Sequence, residues 1–114
     1  MHTRILAPVL FWLILACSGS AFAVAGKITI SAPADGSTVG QDDDVEITYA
    51  AARSPDGDHL HLYLDNKRVD VLHEMKGKAD VGLLPTGKHH VCLAENTSGH
   101  IPTGVETCID LISK

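Results

Sequence analysis

The sequence predicts an all-β fold, a two-sheet antiparallel sandwich of seven strands behind an N-terminal leader. Short runs alternate apolar and polar residues with period two, turn clusters of Gly, Pro and Asp follow nearly every run, and no stretch has helical spacing.

The leader comes first. Arg4 precedes an apolar run from Ile5 to Ala16 that only Pro8 interrupts, and small residues end at Ala21-Phe22-Ala23. A positive start, a short apolar core and an A-x-A site describe a secretory signal, too short to span a bilayer. The expectation is a signal peptide over 1–23, a domain over 24–114, and a soluble product in the periplasm or outside the cell, not membrane-spanning. A lipoprotein anchored through Cys17 is the alternative, since Ile14-Leu15-Ala16-Cys17 approaches a lipidation box, although Leu15 stands where a small residue is usual.

The seven strands follow in order. Ile28 and Ile30 mark the first, closed by Pro33-Ala34-Asp35-Gly36-Ser37, and Val45, Ile47 and Tyr49 mark the second, closed by Ser54-Pro55-Asp56-Gly57. The third, His59 to Asp65, is the most regular, with Leu60, Leu62 and Leu64 on the core face and His59, His61 and Tyr63 opposite. Asp65-Asn66-Lys67 turns into a run over Arg68 to Leu72. Ala79 to Leu83, His89 to Glu95 and Val105 to Ile112 complete the set, the last two entered through Pro85-Thr86-Gly87 and Pro102-Thr103-Gly104.

Several of these segments carry a resemblance. Pro33-x-Asp35-Gly36-Ser37-Thr38-Val39, HLHLYLD at 59–65, PTGKHH at 85–90 and HIPTG at 100–104 resemble a group of small secreted bacterial immunoglobulin-like (fibronectin-III-like) domains of unassigned function. A His-rich strand, a P-x-G-K-H turn and a late H-x-P recur in that group. The resemblance implies the sandwich and no activity.

Composition narrows the partners. Without residues 1–23, 8 basic residues stand against 14 acidic ones, a formal charge of −6. An acidic surface with no basic run excludes nucleic acid and anionic lipid as expected partners. Cys92 and Cys108 are then the only cysteines, and in an oxidising compartment an isolated pair reads as a disulfide. Parity agrees: with Val91 and Leu93 inward on one strand and Val105, Thr107, Ile109 and Leu111 inward on the next, both cysteines fall on the outer face of a hairpin. Thiolates joining a metal site are the alternative.

The same outer face carries the candidate site. His59 and His61 lie about 6–7 Å apart along their strand, and the connection holding His100 lies at the same end of the sandwich. A three-nitrogen metal site of His59, His61 and His100 follows, with Asp58 and Glu95 as candidate oxygen ligands. His89 and His90 form a second candidate group at the far end, pointing to opposite faces. His73 reads as a solvated residue, and Asp42-Asp43-Asp44 as a solvated turn without a calcium-loop pattern. Against the metal reading, outward strand positions accept histidine without any ligand role.

Imidazole ligands suit copper(II) first and zinc second, and Met75 alone offers a thioether after processing. The secreted copper-resistance sandwich proteins are similar in outline, but many of them bind through an N-terminal histidine, where this chain has Val24. The main rival is an envelope-protein interaction or structural module binding no metal. No glycine-framed nucleophile or paired catalytic carboxylates stand out, so an enzyme is not expected. Tyr63 alone is an outward aromatic, which disfavours a sugar platform.

Overall fold

The computed structural model describes residues 25–114. The expected signal segment, its expected cleavage site and Cys17 lie outside them. Among the described residues every regular element is a strand: β1 Lys27–Ala32, β2 Thr38–Val39, β3 Asp44–Ala52, β4 His59–Leu64, β5 Lys67–Leu72, β6 Lys76–Leu83, β7 Gly87–Asn96 and β8 Pro102–Ser113. They form a three-stranded sheet, β1-β3-β6, and a five-stranded sheet, β2-β8-β7-β4-β5.

Eight strands replace the expected seven. The added one, β2, has two residues that pair parallel with the end of β8, Thr38 with Ile112 and Val39 with Ser113. Two residues are too few to show alternation, and this pair sits inside a segment whose composition announces a turn. It is held by Ile112 N donating to Ser37 O at 3.0 Å and Lys114 N donating to Val39 O at 3.1 Å. A short strand thus covers the last positions of an otherwise open sheet edge.

Alternation decides which side chains meet. Val45, Ile47 and Tyr49 on β3 and Leu60 and Leu62 on β4 are buried, and with Val91, Leu93, Ile109 and Leu111 they belong to one apolar cluster drawn from both sheets. Each fully buried leucine removes enough apolar area to be worth about 1.5–3 kcal/mol. Tyr49 keeps its hydroxyl satisfied by donating to Glu74 O at 3.0 Å. Thr107 faces inward as well and ties the sheets together, donating from Oγ1 to Ile28 O at 2.7 Å.

Two pairings place the histidine face. β4 runs antiparallel to β7 with His59 opposite Asn96, His61 opposite Ala94 and Tyr63 opposite Cys92. On its other side β4 turns into β5 through Asp65 and Asn66, with φ of 51° and 67°. Two consecutive left-handed residues form the tight hairpin turn that matches strand twist, and Asp and Asn tolerate that conformation best among non-glycine residues. A bulge between Leu62 and Tyr63 then shifts the register, so that Leu60 faces Leu72 and His61 faces Val71.

Cys92 and Cys108 are direct partners across β7 and β8 and are joined by a disulfide. The bond closes a short loop, which on chain-entropy grounds contributes about 3 kcal/mol. Mass spectrometry of non-reduced protein should therefore find both thiols oxidised, and replacing both cysteines by alanine should lower unfolding free energy by about 3 kcal/mol in urea. Leu62→Ala, in the centre of the shared core, should cost about 2–5 kcal/mol in the same measurement.

Candidate metal centre

Burying Leu60 and Leu62 forces His59 and His61 onto the outer face of β4. That face is not open: His59 is 2% exposed and His61 3%. The expectation of surface histidines is corrected here. The strand positions beside His61 are small or aliphatic, Ala94 on β7 and Val71 on β5, while His59 faces the buried Asn96, and the loop after β7 brings His100 over them.

That loop is built locally. Thr97 N donates to Ile101 O at 2.8 Å, His100 N donates to Thr97 O at 2.9 Å, and Ile101 N donates to Thr97 Oγ1 at 3.2 Å. His100 closes the turn with φ 62°. A non-glycine residue in the left-handed region costs free energy, and such costs concentrate where a side chain must be aimed.

The result is a triangle of ring nitrogens. His59 Nε2 lies 2.9 Å from His61 Nε2 and 3.1 Å from His100 Nδ1, and the latter two are 3.2 Å apart. The proton on His59 is assigned by its other nitrogen: Nδ1 faces Asp58 Oδ2 at 2.9 Å, and an ionised carboxylate only accepts. His59 Nε2 is then a lone pair aimed at two neighbours. One proton on either neighbour satisfies one edge of the triangle and leaves another edge as lone pair against lone pair. Two protons leave N–H against N–H. No arrangement of protons on neutral rings satisfies all three edges.

A single cation does. Nitrogens about 2.0–2.1 Å from an ion and 2.9–3.2 Å from one another subtend about 90–100°. That is the spacing of three ligands on one side of an ion with further positions open. The donor set is imidazole nitrogen throughout, which fits copper(II) or zinc and not a hard cation. Burial, and after it the charges of His59, Arg68 and His100, pushes His61 below the usual histidine range, so the ring stays an unprotonated donor.

The two expected oxygen ligands do other things. Asp58 holds the far nitrogen of His59, and that hydrogen bond keeps its carboxyl below the usual range. It orients and polarises the His59 ring, an arrangement that carboxylates also make beside metal-binding histidines. Glu95 is 1% exposed and braces the loops on either side. Its Oε2 accepts from Ser54 N at 2.9 Å and its Oε1 from Thr103 Oγ1 at 2.7 Å. Burial alone would raise this carboxyl, but the bonds from Ser54 and Thr103 and the charge of Arg53 bring it below the ordinary value. Gly57 has no side chain because a Cβ there would strike the Glu95 carboxylate.

His89 and His90 are not brought together. His89 donates from Nδ1 to Asp65 Oδ2 at 2.7 Å and from Nε2 to Pro85 O. Both partners only accept, so the ring is held as a cation, and the Asp65 bond raises its pKa above the usual value. A ring with two N–H groups has no lone pair for a metal. His90 instead donates from Nδ1 to Asp110 Oδ1 at 2.7 Å. It lies near Cys92 and Cys108, whose sulfurs are spent in the disulfide.

His73 is the residue that the sequence reading missed. Its ring centroid lies 5.5 Å from that of His59. A straight two-residue hairpin would set Leu72 opposite His59, whereas the bulge brings Leu72 opposite Leu60 and carries His73 up beside His59.

No protein-family model and no curated protein matches the chain. Among solved structures it is similar to the fibronectin(III)-like modules of Clostridium thermocellum CbhA, at 12% identity and TM-score 0.64, covering 76% of this chain and 96% of that one. It is also similar to a lytic polysaccharide monooxygenase from Jonesia denitrificans, at 16% identity and TM-score 0.47, covering 72% of this chain and 60% of that one. The second likeness overturns the expectation that an enzyme can be set aside, because the solved structures this chain is similar to include one. At that score it assigns no activity. The first shows the fold, which is fibronectin-III-like.

Proposed function

We propose that the chain is an exported module, its two sheets packed face to face as a sandwich, that binds a divalent transition ion through His59, His61 and His100. The observation that carries this reading is the triangle of nitrogens at 2.9–3.2 Å, which no proton placement satisfies and one cation does. The face-to-face arrangement is supported by an apolar cluster that draws on both sheets. Export is supported by the leader composition and by the disulfide, which persists in an oxidising compartment. Copper(II) is the first choice on the divalent affinity order, and zinc the second.

Calorimetric titration of the untagged protein with copper(II) and with zinc tests the site. Binding tighter than about 10 μM at neutral pH is expected, an affinity near 7 kcal/mol. The double replacement His59→Ala with His61→Ala should abolish it, and His100→Ala alone should weaken it by more than about 100-fold, beyond what loss of a supporting residue costs. No binding at that level, or a double variant that binds as the parent does, would end the metal reading. An envelope interaction module docking through the same face would then lead.

The pH dependence has a definite sign. Protons compete with the ion for the ring lone pairs, so affinity should be level above pH about 6.5 and fall below it. His61, whose pKa is lowered by burial, resists protonation to a lower pH than a free histidine does. Repeating the titration between pH 8 and pH 5, values that bracket about 6.5, checks this, and affinity rising as pH falls would contradict imidazole ligation.

A further inference from the structure

His59 has donors on both of its nitrogens. Beyond Nε2 lies the other pair of the triad, beyond Nδ1 lies Asp58, and the His73 ring centroid is 5.5 Å from that of His59. One atom each of Asp58, His59 and His73 fall within 4.8 Å of one another. The Nδ1 to Oδ2 separation, 2.9 Å, equals the shortest edge of the triad, so these two donors also subtend about 90° at an ion held at ordinary zinc distances. The Asp58 side chain is half-exposed and His73 is exposed, while His59 is buried. A buried imidazole therefore stands between two groups of donors, each reaching solvent through one exposed histidine, His100 on one side and His73 on the other.

We propose that Asp58, His59 and His73 form a second site, for zinc or copper(II), which shares His59 with the triad as a bridging imidazolate. The proposal rests on the triad binding an ion first. As the second ion arrives, it displaces the Nδ1 proton to solvent, the freed Nδ1 lone pair coordinates, and Asp58 exchanges a hydrogen bond for a metal bond. Nothing is oxidised or reduced. The negative charges of Asp58 and the bridging imidazolate offset the charge of the second ion. Two imidazole nitrogens and one carboxylate oxygen suit a d-block ion and disfavour calcium or magnesium, which prefer an all-oxygen shell.

Native mass spectrometry and equilibrium dialysis of the untagged protein against zinc chloride give the stoichiometry. Two equivalents are expected, the second weaker. His73→Ala should retain one equivalent with unchanged affinity, Asp58→Asn should weaken the second at least tenfold, and His59→Ala with His61→Ala should lose both. Because His73 is exposed, its variant should keep the parent's unfolding midpoint. Electron paramagnetic resonance with copper(II) then reads the bridge. The first equivalent should give a full signal, and the second should reduce the integrated signal through coupling across the imidazolate, an effect absent in His73→Ala. A single equivalent in the parent, two in His73→Ala, or two uncoupled coppers would each overturn the shared site and leave the triad standing. No bound equivalent at all would overturn the triad reading itself.

Discussion

Because side chains alternate across a strand, what β4 does on one face decides what it offers on the other. Leu60 and Leu62 are fully buried in the core shared by the two sheets, and moving them out by a one-residue slip would expose both leucines and bury two imidazoles among aliphatic groups. The register is therefore held by apolar burial worth several kcal/mol, and the histidine pair inherits its position from that constraint. His61 needs no interaction of its own to be placed. The hairpin to β5, the pairing with β7 and the aim of His100 are all set relative to this one strand.

The pairing with β7 is reinforced from the far side. β7 is locked to β8 by the Cys92–Cys108 bond, and the buried carboxylate of Glu95 sits at the β7 end nearest the triad. By accepting from Ser54 on one loop and Thr103 at the start of β8, it fixes the two segments that carry Asp58 and follow His100. An acidic residue so fully buried is kept only when its lone pairs are satisfied. Its place in the structure is that of a strut between loops. Together these contacts keep His59 and His61 on a rigid strand and brace the loops that carry Asp58 and His100, a better base for ligand geometry than free loops.

Much of this was legible in the sequence for a simple reason: period-two alternation in HLHLYLD states both faces of β4 at once. Sheet order then brought His100 to the same end. What was not legible depended on irregularity. The bulge at Leu62 and Tyr63 leaves no mark in the alternation of β4, yet it alone carries His73 beside His59. β2 is too short to have a pattern. The burial of His59 and His61 came from neighbours contributed by other segments, and outward parity by itself says nothing about what lies above a face. For His89 and His90, proximity in sequence indicated a cluster, while their separate partners, Asp65 in the β4–β5 turn and Asp110 on β8, hold them apart.

The packing of three imidazoles around one point also bears on why such a face would be sealed. In water each ring nitrogen would find its own partner, and crowding three of them to within 3.2 Å, with His59 and His61 buried and His100 exposed, leaves at least one edge unsatisfied. Unmet polar contacts in a buried place cost free energy, and the left-handed turn at His100 adds to the cost. On the metal reading proposed above, an ion bound at the triad would relieve the unsatisfied edge and stabilise the folded chain by an amount that grows with the logarithm of its affinity. Stability borrowed in this way requires a rigid frame, since a looser β4 would let the rings separate and solvate. The core on one face and the donors on the other are therefore parts of one arrangement.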